Sequence, residues 1–326
     1  MATNASRGKA EENKPSVLST LPKELPLDFL KTITDQFSEE RNLGTGAFGT
    51  VYKGIVPDGE TIAVKKLAEN SPVARDKLFT NEVQNIMALN HENVVRLVGY
   101  CHEAQKKVVQ NNGRYIVADI VESLLCYEHL PKGSLQKNLF EVPDKMDWDT
   151  RFKIIKGICN GLLFVHSIPI VHMDLKPENI LLDDNMVPKI ADFGLSRLFG
   201  QEQTRMNTQN VVGSYGYIAP EYLYRGEIST KSDIYSLGLL IMETTTGQKN
   251  CPSNEPSAVQ FIRNVREKWT ELHIATRYPS LNADRLQQVK RCIQIGLECV
   301  EIDRQKRPAI ENIVDKLNGR CASRSE

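Results

Sequence analysis

The stretch from residue 171 to residue 194, VHMDLKPENILLDDNMVPKIADFG, constrains this chain more than any other. Three of its side chains, Asp174, Asn179 and Asp192, offer oxygen donors at a set spacing, and Lys176 stands between the first two. Such oxygens suit Mg2+, a hard cation that keeps waters and substrate phosphates in its octahedral shell, so that two side-chain donors suffice. Asn179 and Asp192 are the candidates for that task. Asp174, five residues before Asn179, is placed to accept the proton of an attacking hydroxyl, while Lys176 offers a mobile positive charge to a phosphoryl group in transit. The spacing therefore points to phosphoryl transfer from a magnesium nucleotide. The bland alternative is a polar loop followed by two buried strands, with Asp-Phe-Gly as an ordinary turn. It leaves the coincidence of two spaced motifs unexplained.

A glycine-rich run, Gly44-Thr45-Gly46-Ala47-Phe48-Gly49-Thr50-Val51, precedes this stretch. Alone it is a weak signal, since a dinucleotide-binding turn or a surface hairpin has the same glycines. A dinucleotide-binding turn must open into a helix. Here Thr50-Val51-Tyr52 is β-branched and aromatic, and Pro57-Asp58-Gly59 turns the chain into another strand over 61–65, so a flexible hairpin is expected. Its glycines let backbone amides approach phosphate oxygens closely. In Ile62-Ala63-Val64-Lys65-Lys66 the two lysines face opposite ways, because strand side chains alternate. Seen alone, Lys65 would be a solvated strand charge and Glu82, on a predicted helix over 74–89, a helix surface charge.

Together these motifs resemble those of the eukaryotic protein kinases, with His172-Met173-Asp174 and Asn179 in the place of the HRDLxxxN catalytic loop and Asp192-Phe193-Gly194 in that of the metal loop. The resemblance covers about residues 38–317 and implies an α+β, bilobal kinase fold. A small β-rich N-lobe with one helix is expected over 38–128 and a larger, mostly helical C-lobe over 131–317. Around them fall a disordered tail over 1–20, a leading helix over 21–37 and a second tail over 318–326. ATP and Mg2+ are the implied cofactors. ATP contacts are expected from Leu43, Gly44, Thr45, Gly46, Ala47, Phe48, Gly49 and Val51, from Ala63 and Lys65 on the next strand, and from Leu181 below. The catalytic set is Asp174, Lys176, Lys65 and Glu82, with Glu82 the helix carboxylate that pairs Lys65. Glu128-His129-Leu130-Pro131-Lys132-Gly133 corresponds to the connector between lobes, where Glu128 and Leu130 supply the acceptor and donor that adenine requires. Tyr127 takes the gatekeeper place at the back of the pocket. A tyrosine there, with the wording NLGTGAFGTVYKG and YEHLPKGSL, is similar to the interleukin-1-receptor-associated and plant receptor-like kinases of the Pelle type.

The same resemblance assigns regulatory interest to Met173, Thr204, Thr208 and Ser214. Ser214 matches the hydroxyl that contacts the catalytic aspartate and lysine, and Lys176 favours serine or threonine substrates. Most kinases carry arginine at the place of Met173, where it reads a loop phosphate through charge-assisted hydrogen bonds. Methionine cannot, which is the non-RD pattern and puts phosphate-driven ordering through Thr204 or Thr208 in doubt. Asp233 matches the aspartate that holds the catalytic loop, and Glu221 and Arg307 match a buried pair. The rival class is an interaction module that binds nucleotide and signals by contacts.

Composition narrows the partners. The 41 basic and 41 acidic residues cancel, so no global field points to nucleic acid. Protein substrates, and through the resemblance a membrane receptor complex, are the expected partners. The seven scattered cysteines lack a CxxC pair and read as buried apolar residues of a reducing compartment. No apolar run reaches the roughly 18 residues of a membrane span, and the first residues lack a secretory core, so a cytoplasmic protein, peripheral at the plasma membrane if receptor-linked, is expected. Leu27, Leu30, Ile33 and Phe37 recur at helical spacing. Residues 106–109 and 114–117 flank Asn112-Gly113 and predict an inserted or lengthened hairpin before a further apolar strand over 124–127. Asp147 is a predicted helix cap, and Thr230 with Asp233 a predicted capping box before the apolar run 234–242.

Overall fold

The computed structural model describes residues 23–87, 89–111, 113–141, 146–199, 205–250 and 258–320. The upper lobe is built on β1 (Lys23–Glu24), β2 (Asn42–Gly46), β3 (Gly49–Ile55), β4 (Thr61–Leu67), β5 (Leu97–Asn111) and β6 (Arg114–Glu128), with α1 (Leu27–Ile33) and α2 (Arg75–Ile86). The six strands form one sheet in the order β1, β5, β6, β4, β3, β2. Leu27, Leu30 and Ile33 share the buried side of α1, as their spacing predicts. Phe37 does not continue that face. The helix stops because Asp35, Gln36 and Phe37 all have positive φ, 52°, 55° and 58°, and Thr34 Oγ1 turns back to the Leu30 carbonyl at 2.6 Å. Phe37 instead stands against Tyr52, ring centroids 5.3 Å apart, with Lys66 Nζ 4.9 Å from its centre.

Of the two forms predicted, the hairpin takes the lengthened one rather than an insertion between strands. β5 and β6 run unbroken for 15 residues each, in register from Asn111 opposite Arg114 to Leu97 opposite Tyr127, with one irregularity near Gly99. No glycine or proline interrupts β6, so the apolar strand expected over 124–127 and the outer strand are one element.

The lower lobe contains β7 (Gly133–Ser134), α3 (Trp148–Ser167), β8 (Ile170–Val171), β9 (Ile180–Leu182), β10 (Pro188–Ile190), β11 (Arg197–Leu198), β12 (Met206–Asn207), α4 (Pro220–Arg225), β13 (Glu227–Ile228), α5 (Thr230–Thr246), α6 (Val259–Lys268), α7 (Glu271–Arg277), α8 (Ala283–Cys299) and α9 (Ile310–Leu317). Asp147 caps α3 by accepting from Thr150 N. α5 is buried nearly all round, as a helix apolar on every side must be. Its capping box differs from the predicted one: Ser229 is the cap and Ser232 its partner, which frees the Asp233 carboxylate for another task. Five cysteines, Cys101, Cys126, Cys159, Cys292 and Cys299, are free and buried, and burial raises their thiol pKa values. Cys251 and Cys321 lie outside the described residues.

Two strips of backbone join the lobes side by side. Val95 N donates to Ile190 O and Ile190 N to Asn93 O, both at 2.9 Å, tying the approach to β5 onto β10. Next to them Glu128 Oε1 accepts from Arg96 N at 2.9 Å and from Lys189 Nζ at 3.1 Å. α3 reaches this junction because it presents Gly157 and Gly161, where a Cβ would meet Pro188 Cγ at 2.5 Å and Asn93 O at 2.6 Å.

In the lower lobe Arg307 and Glu221 form a fully buried two-pronged pair, at 2.8 and 2.7 Å, with the guanidinium 5.1 Å from the Tyr235 ring centre. Removing one partner strands the other charge. Arg307→Ala is expected to lower unfolding stability by about 3–5 kcal/mol, measured by equilibrium urea denaturation.

Candidate active site

The catalytic loop hangs from one carboxylate. Asp233, at the start of α5, accepts His172 N at 2.7 Å, Met173 N at 2.9 Å and a bond with His166 Nε2 at 2.9 Å. These donors hold Met173 at a φ of 73°, a left-handed conformation that a non-glycine residue seldom adopts. His172 is oriented in turn: Asp174 N donates to its Nδ1 at 3.2 Å, so the proton on Nε2 goes to the Ala191 carbonyl at 3.0 Å. The loop then delivers Asp174 into a polar cluster. Its Oδ1 accepts Ser214 N at 3.1 Å, and its Oδ2 meets Asn179 Nδ2 and Lys176 Nζ, each at 3.0 Å. Lys176 also donates to Ser214 Oγ at 2.6 Å. Ser214 thus touches both residues predicted for it, the aspartate through its amide and the lysine through its hydroxyl.

Lys65 crosses from the upper lobe, 3.1 Å from Glu82 Oε2 and 2.8 Å from Asp192 Oδ1. Lys66 points away to Glu122 at 3.4 Å, as strand alternation requires. Burial opposes charge on all three groups of the cluster. The two carboxylates more than offset it at Lys65, whose pKa lies above the ordinary lysine range. Burial also opposes the Asp192 charge, but the Lys65 ammonium wins and holds that carboxyl low. At Glu82 burial prevails over Lys65 and raises the carboxyl. Tyr127 donates its hydroxyl to Glu82 Oε1, and burial, then Glu82 itself, pushes the phenol well above its usual pKa, so it remains a donor.

One link escaped the sequence reading. Asn85 Nδ2 donates to Ser196 Oγ at 2.7 Å and Ser196 Oγ to Phe193 O at 2.5 Å. Asn81, one turn earlier on α2, reaches Gly194 O at 3.4 Å. Two asparagines four residues apart on either side of Glu82 were the available signal, because such positions share a helix face.

The predicted nucleotide contacts divide between the lobes. At Gly44 and Gly46 an added Cβ would meet nothing within 4 Å, which leaves backbone open on the strand tip. Gly49 carries a further constraint, since a Cβ there would strike Lys66 O at 2.2 Å and force β3 off β4. Leu43, Thr45 and Ala47 are exposed and Phe48 half-buried at the same tip. Val51 pairs with Lys65 and Ala63 with Tyr127 across the sheet, while half-buried Leu181 lies on β9 of the lower lobe. In the connector Leu130 O accepts from Gly133 N at 3.1 Å, and no group among the described residues takes Leu130 N–H. The donor set also fits a hard cation. Both Asn179 amide hydrogens go to Asp174, to its backbone O at 2.9 Å and to Oδ2, which leaves Asn179 Oδ1 free to ligate. Lys65 engages Oδ1 of Asp192 and leaves its second oxygen. No cluster of three or more His, Cys, Asp or Glu suited to a metal occurs among the described residues.

The segment between Asp192 and Glu221 is seated from below. Thr204 lies outside the described residues. Thr208 is half-buried; its N donates to Gly226 O at 3.0 Å, and its hydroxyl exchanges bonds with Asn210. Met173 is buried in the apolar core, so no charge from residue 173 faces this segment. Tyr217 donates to both oxygens of Glu243 at 3.0 and 2.9 Å, and Asn250 N reaches the same carboxyl at 2.8 Å. Burial outweighs these donors and pushes Glu243 up to about 8.

Two lobes meeting at a lysine, two acids and a carboxylate loop define a phosphotransferase fold, and comparison with known proteins says which. Residues 37–317 match the protein kinase domain. The chain belongs to the protein kinase family. It is similar to Cysteine-rich receptor-like protein kinase 36 of Arabidopsis thaliana, 40% identical over 297 residues, 89% of this chain and 42% of that one. It is 39% identical over 331 residues to Cysteine-rich receptor-like protein kinase 10 of Oryza sativa subsp. japonica, 99% of this chain and 48% of that one. Receptor-like serine/threonine-protein kinase SD1-7 of Arabidopsis thaliana is 40% identical over 323 residues, 95% of this chain and 36% of that one. The chain thus spans less than half the length of these relatives.

Two outcomes are expected. Tyr127→Phe leaves a buried Glu82 oxygen without its donor and should lower unfolding stability by about 1–3 kcal/mol, read by urea denaturation. Glu243 has a folded pKa near 8 against an ordinary 4.5, so the folded state holds a proton that the unfolded chain releases between those values. Its contribution to stability is full below the lower value and is lost as pH rises through the upper one. Denaturation from about pH 5 to about pH 8 should therefore show a shallower decline in Glu243→Gln than in the parent.

Proposed function

We propose that this chain is an ATP-dependent protein serine/threonine kinase of the plant receptor-like, Pelle-type branch, acting in receptor-linked signalling. The observation that carries it is the cluster in which Asp174 meets Lys176, Asn179 and Ser214, beside the Lys65, Glu82 and Asp192 triad. The catalytic unit is assigned to residues 38–317, with lobes over 38–128 and 131–317, a leading segment over 21–37 and tails over 1–20 and 318–326. The names of its relatives support serine or threonine as acceptor, as does the bond from Lys176 to Ser214. No described helix is long and apolar enough to cross a membrane. A cytoplasmic position, peripheral at the plasma membrane beside a receptor complex, is part of this reading, and the receptor-like names of the relatives support the receptor link.

When bound, magnesium ATP supplies the γ-phosphoryl group and the metal charge that offsets its oxygens. Glycine-loop amides and Lys65 bind the phosphates, with Glu82 and Tyr127 fixing the lysine. Asn179 Oδ1 and Asp192 would hold the metal. Asp174 orients the substrate hydroxyl and takes its proton, and Lys176, steadied by Ser214, stabilises charge on the moving group. Met173 makes this a non-RD kinase, in which phosphate on Thr204 or Thr208 does not order the loop through residue 173.

Purified protein with magnesium ATP and a generic acceptor should yield phosphoserine or phosphothreonine detectable by mass spectrometry. Asp174→Ala should slow transfer by about 10²–10⁴-fold, and Lys65→Met should also abolish most of it. ATP binding without transfer by the parent would instead indicate an interaction module.

A further inference from the structure

The outer part of β6 has a partner on one side only. β4 pairs with it between Leu124 and Glu128, whereas β5 accompanies it all the way to Arg114. The other edge of residues 114–123 therefore faces no described strand. The two-residue turn makes Asn111 and Arg114 the hydrogen-bonded closing pair. Antiparallel pairs alternate from there, so Ile116, Ala118 and Ile120 bond to β5, while the N–H and C=O groups of Tyr115, Val117, Asp119 and Val121 point outward.

Natural sheet edges carry lysines, prolines or bulges that prevent pairing with another chain. The β5 side of this hairpin has Lys106 and Lys107; the β6 side, Tyr-Ile-Val-Ala-Asp-Ile-Val over 115–121, has one charge and none of those devices. Tyr115 is 76% exposed and Val117 68%. Such a segment is favourable for strand addition.

The sequence of this edge fits itself. In an antiparallel pair with a second copy centred on Ala118, Tyr115 faces Val121, Ile116 faces Ile120, Val117 faces Asp119, and Arg114 faces Glu122. Ile116 meets Ile120 on one face and Tyr115 meets Val121 on the other; Asp119 meets Val117, and Arg114 adds to the lysines, Lys66 and Lys107, that already pair with the buried Glu122. Centring on Asp119 would set two carboxylates face to face, and centring on Val117 would place Arg114 against Ile120. We infer that the outer edge of β6 joins the same edge of a second copy about a two-fold axis at Ala118, extending the sheet across a dimer with about eight new backbone hydrogen bonds. A homodimer is an isologous contact, in which a self-complementary strand suffices.

Sedimentation velocity on the full chain tests this, together with Ala118→Lys and Ala118→Glu, which place like charges opposite each other at the axis. The parent is expected to pass from monomer to dimer as concentration rises, and each variant to need about two- to fivefold more protein. An equal mixture of the two variants should regain the dimer, because lysine then faces glutamate. Circular dichroism matching the parent establishes that the variants are folded. A parent that stays monomeric throughout would overturn the inference. So would a dimer that both variants keep at parental strength, or folded variants that fail to rescue each other when mixed.

Discussion

Asp233 is the residue on which the functional half of this molecule depends. It lies almost fully buried and takes donors from two successive backbone amides and from His166. A carboxylate in that position is tolerated only because its oxygens are satisfied. In return, it sets a left-handed residue, Met173, that local preference would not select. Everything the loop presents follows from that one bend, including the aim of Asp174 and the approach of Asn179 to it. The apolar remainder of α5 supplies the anchorage, since a helix enclosed on every side cannot shift without opening the core.

A second constraint is electrostatic. Lys65, Glu82 and Asp192 come from three elements, and none is comfortable as a buried ion without the others. Their mutual satisfaction requires α2, β4 and the metal loop to be in place together. The neutral chain through Asn85 and Ser196 to Phe193 runs parallel to the charged one and ties the same helix to the same loop. A displaced α2 would therefore break both connections at once, which makes helix position and loop position one variable.

Much of this was legible in the sequence because motif chemistry is local. The opposite facing of Lys65 and Lys66 followed from strand alternation, and the cap at Asp147 from side-chain chemistry. The misreadings fall where a tertiary contact overrides a local pattern. Phe37 had the right spacing for α1, but the helix ends in three left-handed residues, of which it is the third, and it packs on the same core from the turn, beside Tyr52. Thr230 and Asp233 looked like a capping box, yet Ser229 and Ser232 form it, and the aspartate is claimed by a loop some sixty residues away. Asn112-Gly113 left an inserted or a lengthened hairpin open, and the unbroken β6 decides for the lengthened one. At Gly49 nothing in the sequence marked a second constraint, the approach of Lys66 O that leaves no room for a Cβ. None of these distinctions is encoded within a short window.

The side-by-side strips that join the lobes also govern how the molecule can move. Residues 93–95 are held to β10, and Glu128 is held to Arg96 and Lys189 immediately beside them, with α3 closed against the junction through Gly157 and Gly161. Two bodies fastened along one line have rotation about that line as their soft motion; sliding would break every bond in the seam. Ile62 is paired with Glu128 near the axis, whereas Gly49 lies opposite Leu67 at the far end of β4. A small angular change leaves the connector where it is and sweeps the glycine tip through the widest arc. Leu130 thus stays at a fixed point, and opening and closing are felt at the glycine tip.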